Sequence, residues 1–204
     1  MDSNKSSPKR ARRAVEPSRR PGKERVAALL EAASAVIAER GYEAATMTEI
    51  AARAGALVGS LYHFFPNKEA VGEALIGRFD ALLGEAFDAI DARAATATRG
   101  DLADALLDLM LSVRGETRAM AALLEARTDW TSKWGDFTAT TLRRIAGTLS
   151  LSAPGLAPES ARAAAVVVLQ NMKSLKALAD DPAAAAEVRA MNRLYLESRL
   201  REPA

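Results

Sequence analysis

Thr46–Pro66 reads TMTEIAARAGALVGSLYHFFP, and its reading decides the fold. Two short apolar-patterned segments meet at Gly55, and the second ends in an aromatic cluster that holds the only histidine, His63. Thr46-Met47-Thr48-Glu49 matches a capping box. The Thr46 hydroxyl can accept from the amide of Glu49, and the Glu49 carboxylate can accept from the amide of Thr46. A helix then begins, with Ile50 and Ala51 facing inward. Gly55 supplies the left-handed backbone that ends it. After a turn of about three residues a second helix runs through Phe64. Two short helices with a glycine in the tight turn are the signature of a helix-turn-helix.

The second of these helices has an uneven distribution of residues. Leu61 and Phe65 lie four apart and can pack against the first helix. Val58, Gly59, Ser60, Tyr62 and His63 remain for the outer face. Gly and Ser are poor helix formers. They suit a helix that must lie close to a phosphate backbone. Tyr62 offers a hydroxyl to a phosphate, and His63 can donate to a phosphate or a base edge. Lys68, after Pro66-Asn67, is placed to neutralise another phosphate. The cap sets the first helix, the glycine sets the angle, and the small and aromatic residues form the face offered to double-stranded DNA.

Outward from this motif the chain reads helical. Val26, Leu29, Leu30, Ala33, Val36 and Ile37 recur at helical spacing, and Arg40-Gly41 stops that helix. Beyond Lys68, Val71, Leu75, Phe79, Leu82, Leu83, Phe87 and Ile90 form one long stripe. Asp101 and Thr117 are candidate caps for the next two helices. A longer helix covers roughly Thr131 to Leu149, and Pro154, Gly155 and Pro158 mark a loop and a restart. Residues 159–179 and 183–200 form a final pair, with Asp181-Pro182 as N-cap and first helical residue. No alternating strand and no internal repeat stands out. The expected class is all-α with about nine helices, three short ones followed by six. The expected domains are a disordered basic arm at 1–21, a DNA-binding domain at 22–67, and a helical body at 68–204.

Composition bounds the function. The 204 residues are nearly half apolar and a quarter charged, which suits a globular protein with a buried core. There is no cysteine, so disulfides and thiolate metal sites are excluded. With one histidine, a His-cluster metal site or a Ser-His-Asp triad could exist only in reduced form. No Gly-rich phosphate loop, HExxH or nucleophile arrangement is present, and pairs such as Asp101 and Asp104 read as helix-start charges. Neither enzymatic activity, cofactor nor metal is therefore expected. The longest apolar run, Ala163 to Leu169, falls short of the roughly 20 residues that span a bilayer. The N-terminus lacks the apolar segment of a secretory leader, so no membrane partner and a cytoplasmic location are expected. The net charge of +2 is divided unevenly, with +6 on residues 1–25 and −4 on the rest. Such an arm is either a solvated tail or a contact to a polyanion.

The run from Gly41-Tyr42 through TMTEIAARAG, GSLYHFF and PNKEA resembles the DNA-binding domain of the tetracycline-repressor (TetR) family of transcriptional regulators, over about residues 22–70. The resemblance implies a homodimer with a three-helix reading head and a helical ligand-binding body. It implies base and phosphate contacts at Thr48, Val58, Gly59, Ser60, Tyr62, His63 and Lys68, with Thr46 at the cap counted beside them. It also implies a dimer interface on the last helix pair. The chain departs from the family pattern at Leu57, where the recognition helix often starts with a serine cap. Val58 can make only apolar contact, such as with a thymine methyl. Shape and phosphate contacts then carry more of the recognition.

Phe79, Phe87, Met110, Met120, Trp130, Trp134 and Phe137 either line a ligand cavity or form plain core. The cavity reading calls for an apolar or amphipathic small-molecule effector. The function expected is a homodimeric repressor released from a palindromic operator by such an effector. The alternative is a DNA-binding activator or architectural protein without one.

Overall fold

The computed structural model describes residues 20–112, 114–126 and 131–201. Every regular element among them is an α-helix. They divide into two compact units, one up to Gly77 and one from Arg78.

In the first unit, α1 spans Arg20–Arg40, α2 Met47–Arg53 and α3 Val58–Phe64. The long α4, Lys68–Ala94, begins here and runs on past the boundary between the units. With 21 residues α1 is not short, and it begins two residues ahead of the boundary read from the sequence. Proline is tolerated in a first helical turn, where its missing N–H has no partner to lose, so Pro21 does not delay the helix. Arg20 Nε donates to Glu24 across one turn at 2.9 Å. Residues 1–19, most of the expected basic arm, lie outside the described residues. Gly41 ends α1 with a φ of 79°, in the left-handed region expected there. Leu29, Ala33, Val36 and Ile37 of α1 are buried, as are Ile50 and Ala51 of α2 and Leu61 of α3. The periodic positions of the sequence thus form one small core.

The second unit holds the rest of α4 with α5 (Arg99–Ser112), α6 (Arg114–Ala126), α7 (Thr131–Ser152), α8 (Pro158–Ala177) and α9 (Pro182–Arg199). Two of the caps differ from the expected ones. Thr98, not Asp101, caps α5: its hydroxyl accepts from the Asp101 amide at 3.1 Å and donates to the Asp101 carboxylate at 2.6 Å. Asp101 is the third helical residue, and its carboxylate holds the capping hydroxyl of Thr98. Thr117 lies within α6, which already begins at Arg114. Asp181 does cap α9, accepting from the Ala184 amide at 3.0 Å, with Pro182 in the first turn.

α5 packs on α8 and α9, α7 packs on α8, and α8 packs on α9. Leu102, Leu106, Ile145, Val168, Met172 and Leu196 fill the space between them. Asn192 is fully buried there. Its amide donates to the Ala103 carbonyl at 3.2 Å and its carbonyl accepts from Asn171 at 3.0 Å, so one side chain ties α9 to α5 and α8. Arg144 of α7 donates to Asp88 at 2.6 Å and Asp91 at 3.1 Å on α4, and Thr148 adds a bond to Asp91 at 2.5 Å. Among the described residues no helix is long and apolar enough to cross a membrane.

Candidate nucleic-acid interface

The capping box read from the sequence is present. The Thr46 hydroxyl accepts from the Glu49 amide at 3.2 Å, and the Glu49 carboxylate accepts from the Thr46 amide at 3.2 Å and from its hydroxyl at 2.9 Å. Arg40, at the end of α1, pairs with the other Glu49 oxygen at 3.2 Å. Arg53 grips Glu39 with two bonds of 2.9 and 2.7 Å. The angle between α1 and α2 is therefore set by their shared core and by two ion pairs at their ends.

The hydrogen bond from Thr46 holds the Glu49 carboxyl below the usual carboxylate range, with the Arg40 charge adding to the effect. A depressed folded-state value means that this stabilisation is whole above the unfolded-state pKa and is lost as the pH falls through the folded one. Glu49→Gln should accordingly lower the urea midpoint at pH 7, with the difference from the parent closing as the carboxyl is titrated in acid. An equal difference at neutral and acid pH would show that the carboxylate charge plays no part.

Gly55 has a φ of 60°. Its amide bonds to the Ala52 carbonyl at 3.1 Å, and the Ala56 amide bonds to Ala51 at 2.9 Å. These two bonds make a Schellman motif, which only a left-handed residue at this point can close. Leu57 follows in extended backbone and starts α3 without a side-chain cap bond, as the sequence indicates.

On α3, Leu61 is fully buried and Phe65 just beyond it nearly so. Gly59, Tyr62 and His63 are exposed, and Val58 and Ser60 are half-buried. Thr46 and Thr48 are exposed at the start of α2. The His63 ring meets Phe64 edge-on at 5.0 Å. A Cβ built on Gly59 would meet nothing within 4 Å. The chain's own packing therefore gives no reason for glycine at that point. The outer face of α3 presents a hydroxyl, a phenol and an imidazole over a surface of small side chains.

Lys68 is held inward. Its ammonium donates to the carbonyls of Tyr42 at 2.8 Å and Glu43 at 2.9 Å, and lies 4.6 Å from the centre of the Tyr42 ring. Two of its three donors thus join the start of α4 to the segment after α1, and one remains for an outside acceptor. Asn67, not singled out in the sequence, caps α4 by accepting from the Ala70 amide at 2.8 Å. Its place after Pro66 and four residues before Val71, the first residue of the apolar stripe, is the signal the sequence carries. Leu57, which the sequence marks as a missing cap, is 82% exposed.

The candidate effector residues divide three ways. Phe79, Phe87 and Met120 are buried, and the half-buried Phe137 has its ring 5.1 Å from that of Phe79. Trp130 and the side chains of Met110 and Trp134 lie outside the described residues. A separate open cleft of about 670 Å³ runs between α4 and α5, walled by Ala86, Ile90, Arg93, Leu102, Ala105 and Leu109, with Asp101, Asp104 and Asp108 beside them. Of Phe79, Phe87, Met120 and Phe137, none lines that cleft.

Residues 29–75 match the family model described as bacterial regulatory proteins, tetR family. Over 67 residues the chain is 49% identical to the HTH-type transcriptional repressor KstR2 of Mycobacterium tuberculosis H37Rv, a match over 32% of this chain and 34% of that protein. The chain thus spans about a third of the length of the curated relative it matches. A transcriptional regulator of the TerR/AcrR family from Aquifex aeolicus VF5 shares the fold, with a TM-score of 0.68, 18% identity, and coverage of 85% of this chain and 98% of that one. So does the transcriptional regulator FadR of Bacillus subtilis in complex with stearoyl-CoA, with a TM-score of 0.59, 19% identity, and coverage of 87% and 99%. The capped α2, the Schellman glycine, the outward face of α3 and the match over this same segment agree: residues 29–75 form a reading head similar to that of the tetR family of bacterial regulatory proteins.

Proposed function

We propose that this chain is a homodimeric transcriptional repressor that reads a palindromic operator in the cytoplasm through α2 and α3, and that a small molecule bound in the helical body releases it. The observation that carries the reading is the face of α3. Leu61 and Phe65 lock the helix inward, while Gly59, Tyr62 and His63 are left exposed with no structural duty that requires them. Thr46, Thr48, Val58 and Ser60 flank that face. In this reading Tyr62 and Thr48 hold phosphates, and Ser60 and His63 reach base edges. Lys68 acts first through its two carbonyls, which place the start of α4, and offers its remaining donor to a phosphate.

Two copies are required because a reading head of this size contacts one half-site. Dimers of such heads meet successive major grooves about 34–36 Å apart or at a multiple of that spacing. Val166 and Val167 on α8, with Met191 and Leu194 on α9, are the large apolar side chains left exposed on the last two helices. They are the surface proposed to pair. The effector proposed is apolar or amphipathic, like the stearoyl-CoA found in complex with the Bacillus subtilis FadR. It must favour a dimer geometry that no longer matches the groove spacing, since equal affinity for both states shifts nothing.

Selection of duplexes from a random pool tests the reading. An enriched palindrome is expected. Ser60→Ala and His63→Ala should each weaken operator binding by about 5- to 150-fold, the range of a lost base contact, and weaken random DNA far less. Equal losses on both duplexes would assign the two residues to phosphate positioning, and no enrichment would refute operator reading.

A further inference from the structure

The contacts proposed above leave one side chain of the head unaccounted for. Leu57 occupies the N-cap of α3 and makes no cap bond. At 82% it is the most exposed large apolar side chain among the described residues. A lone exposed leucine needs no explanation by itself. This one stands where Ser, Thr, Asp or Asn would satisfy a free amide and stabilise the helix start. Forgoing the cap and exposing an isobutyl group both act against the free protein. Nothing among the described residues covers it.

The neighbourhood restricts what can cover it. From Ala54 to Tyr62 the chain carries no charge. The tip of α3 therefore cannot form an ion pair with phosphate, and an isobutyl group offers phosphate no hydrogen bond. Residues at the N-terminal end of a recognition helix meet base edges in the major groove. The apolar group on those edges is the 5-methyl of thymine. We propose that Leu57 determines specificity by packing its exposed isobutyl group, at the tip of α3, against a thymine methyl group in each half-site. This rests on the operator-reading function proposed above. It adds an apolar reader at a position where the sequence suggested only a missing cap.

The full-length chain and the duplex it selects provide the test. Each thymine of the site is replaced in turn by deoxyuridine, which removes the methyl group and keeps the base pair. The parent protein should lose about fourfold in affinity per half-site at one symmetric thymine, the effect of one buried methyl group. Leu57→Ser supplies the missing cap, so its unfolding midpoint should equal or exceed the parent's. It should nonetheless bind the operator more weakly and no longer distinguish thymine from deoxyuridine there. Leu57→Ala should lose the same discrimination without gaining a cap. A flat deoxyuridine scan for the parent overturns the proposal, as does a methyl preference that survives both substitutions. If the pool yields no enriched duplex at all, operator reading itself fails and this inference with it. An enriched palindrome with a flat scan removes Leu57 alone.

Discussion

Replacing Leu194 by arginine is expected to split the protein into folded monomers and to weaken operator binding by a hundredfold or more. Leu194 is 68% exposed on α9, so a longer polar side chain disturbs nothing inside the chain. In a two-fold interface the same residue enters twice. The proposed dimer gains about 2 kcal/mol for each large apolar side chain it covers. The variant must instead desolvate two guanidinium groups with no partner provided, at a cost of several kcal/mol each. Operator affinity follows, because a dimer binds its second half-site intramolecularly, an advantage of about 10²–10⁴ that a monomer forfeits. Sedimentation and an operator titration at the same protein concentration measure both effects. A dimer that persists with unchanged affinity would move the interface away from α9. Met191, 52% exposed on the same helix, provides a second site for the same substitution.

Phe79→Ala should destabilise the second unit by about 3–5 kcal/mol. That is a large share of the roughly 5–15 kcal/mol by which a typical domain is stable. Phe79 is 1% exposed and its ring lies 5.1 Å from Phe137, tilted by 41°. Truncation removes the transfer energy of the ring and leaves a void that packed helices fill only in part. The measurement also decides between two roles that the sequence leaves open. A core phenylalanine brings the full loss. A ring facing an empty ligand cavity already lacks partners on one side, and its removal would cost no more than about 1–2 kcal/mol. Denaturant unfolding without effector reads the difference directly.

The reading head was the most legible part of the molecule. Thr46 and Glu49 are three residues apart, and their reciprocal bonds depend on that spacing alone. Gly55 closes a motif that spans six residues, from Ala51 to Ala56. Asp181-Pro182 starts α9 by the same local logic. The alternation of Leu61 and Phe65 with Gly59, Tyr62 and His63 separates an inner from an outer face once the helical period is known. The cap of α5 was harder, because Thr98 and Asp101 can each accept an amide. Which one does depends on where the helix starts, a matter of one turn that local sequence leaves balanced.

Lys68, Leu57 and Asn192 depended on the tertiary structure. Lys68 follows Pro66-Asn67 in a stretch that suggests a solvent-facing cation, yet its ammonium ends on carbonyls 25 and 26 residues earlier. Asn192 bonds to a carbonyl 89 residues away. Leu57 could have been the apolar staple of a turn, and its exposure follows from the path of the chain around it. By itself, then, the sequence determined helix periods, turn glycines and the capping box of the reading head, because those bonds close within a few residues. Only the tertiary structure decided where the long polar side chains end and which apolar ones stay uncovered. Those outcomes depend on segments far apart in sequence being brought together, and no local spacing encodes that meeting.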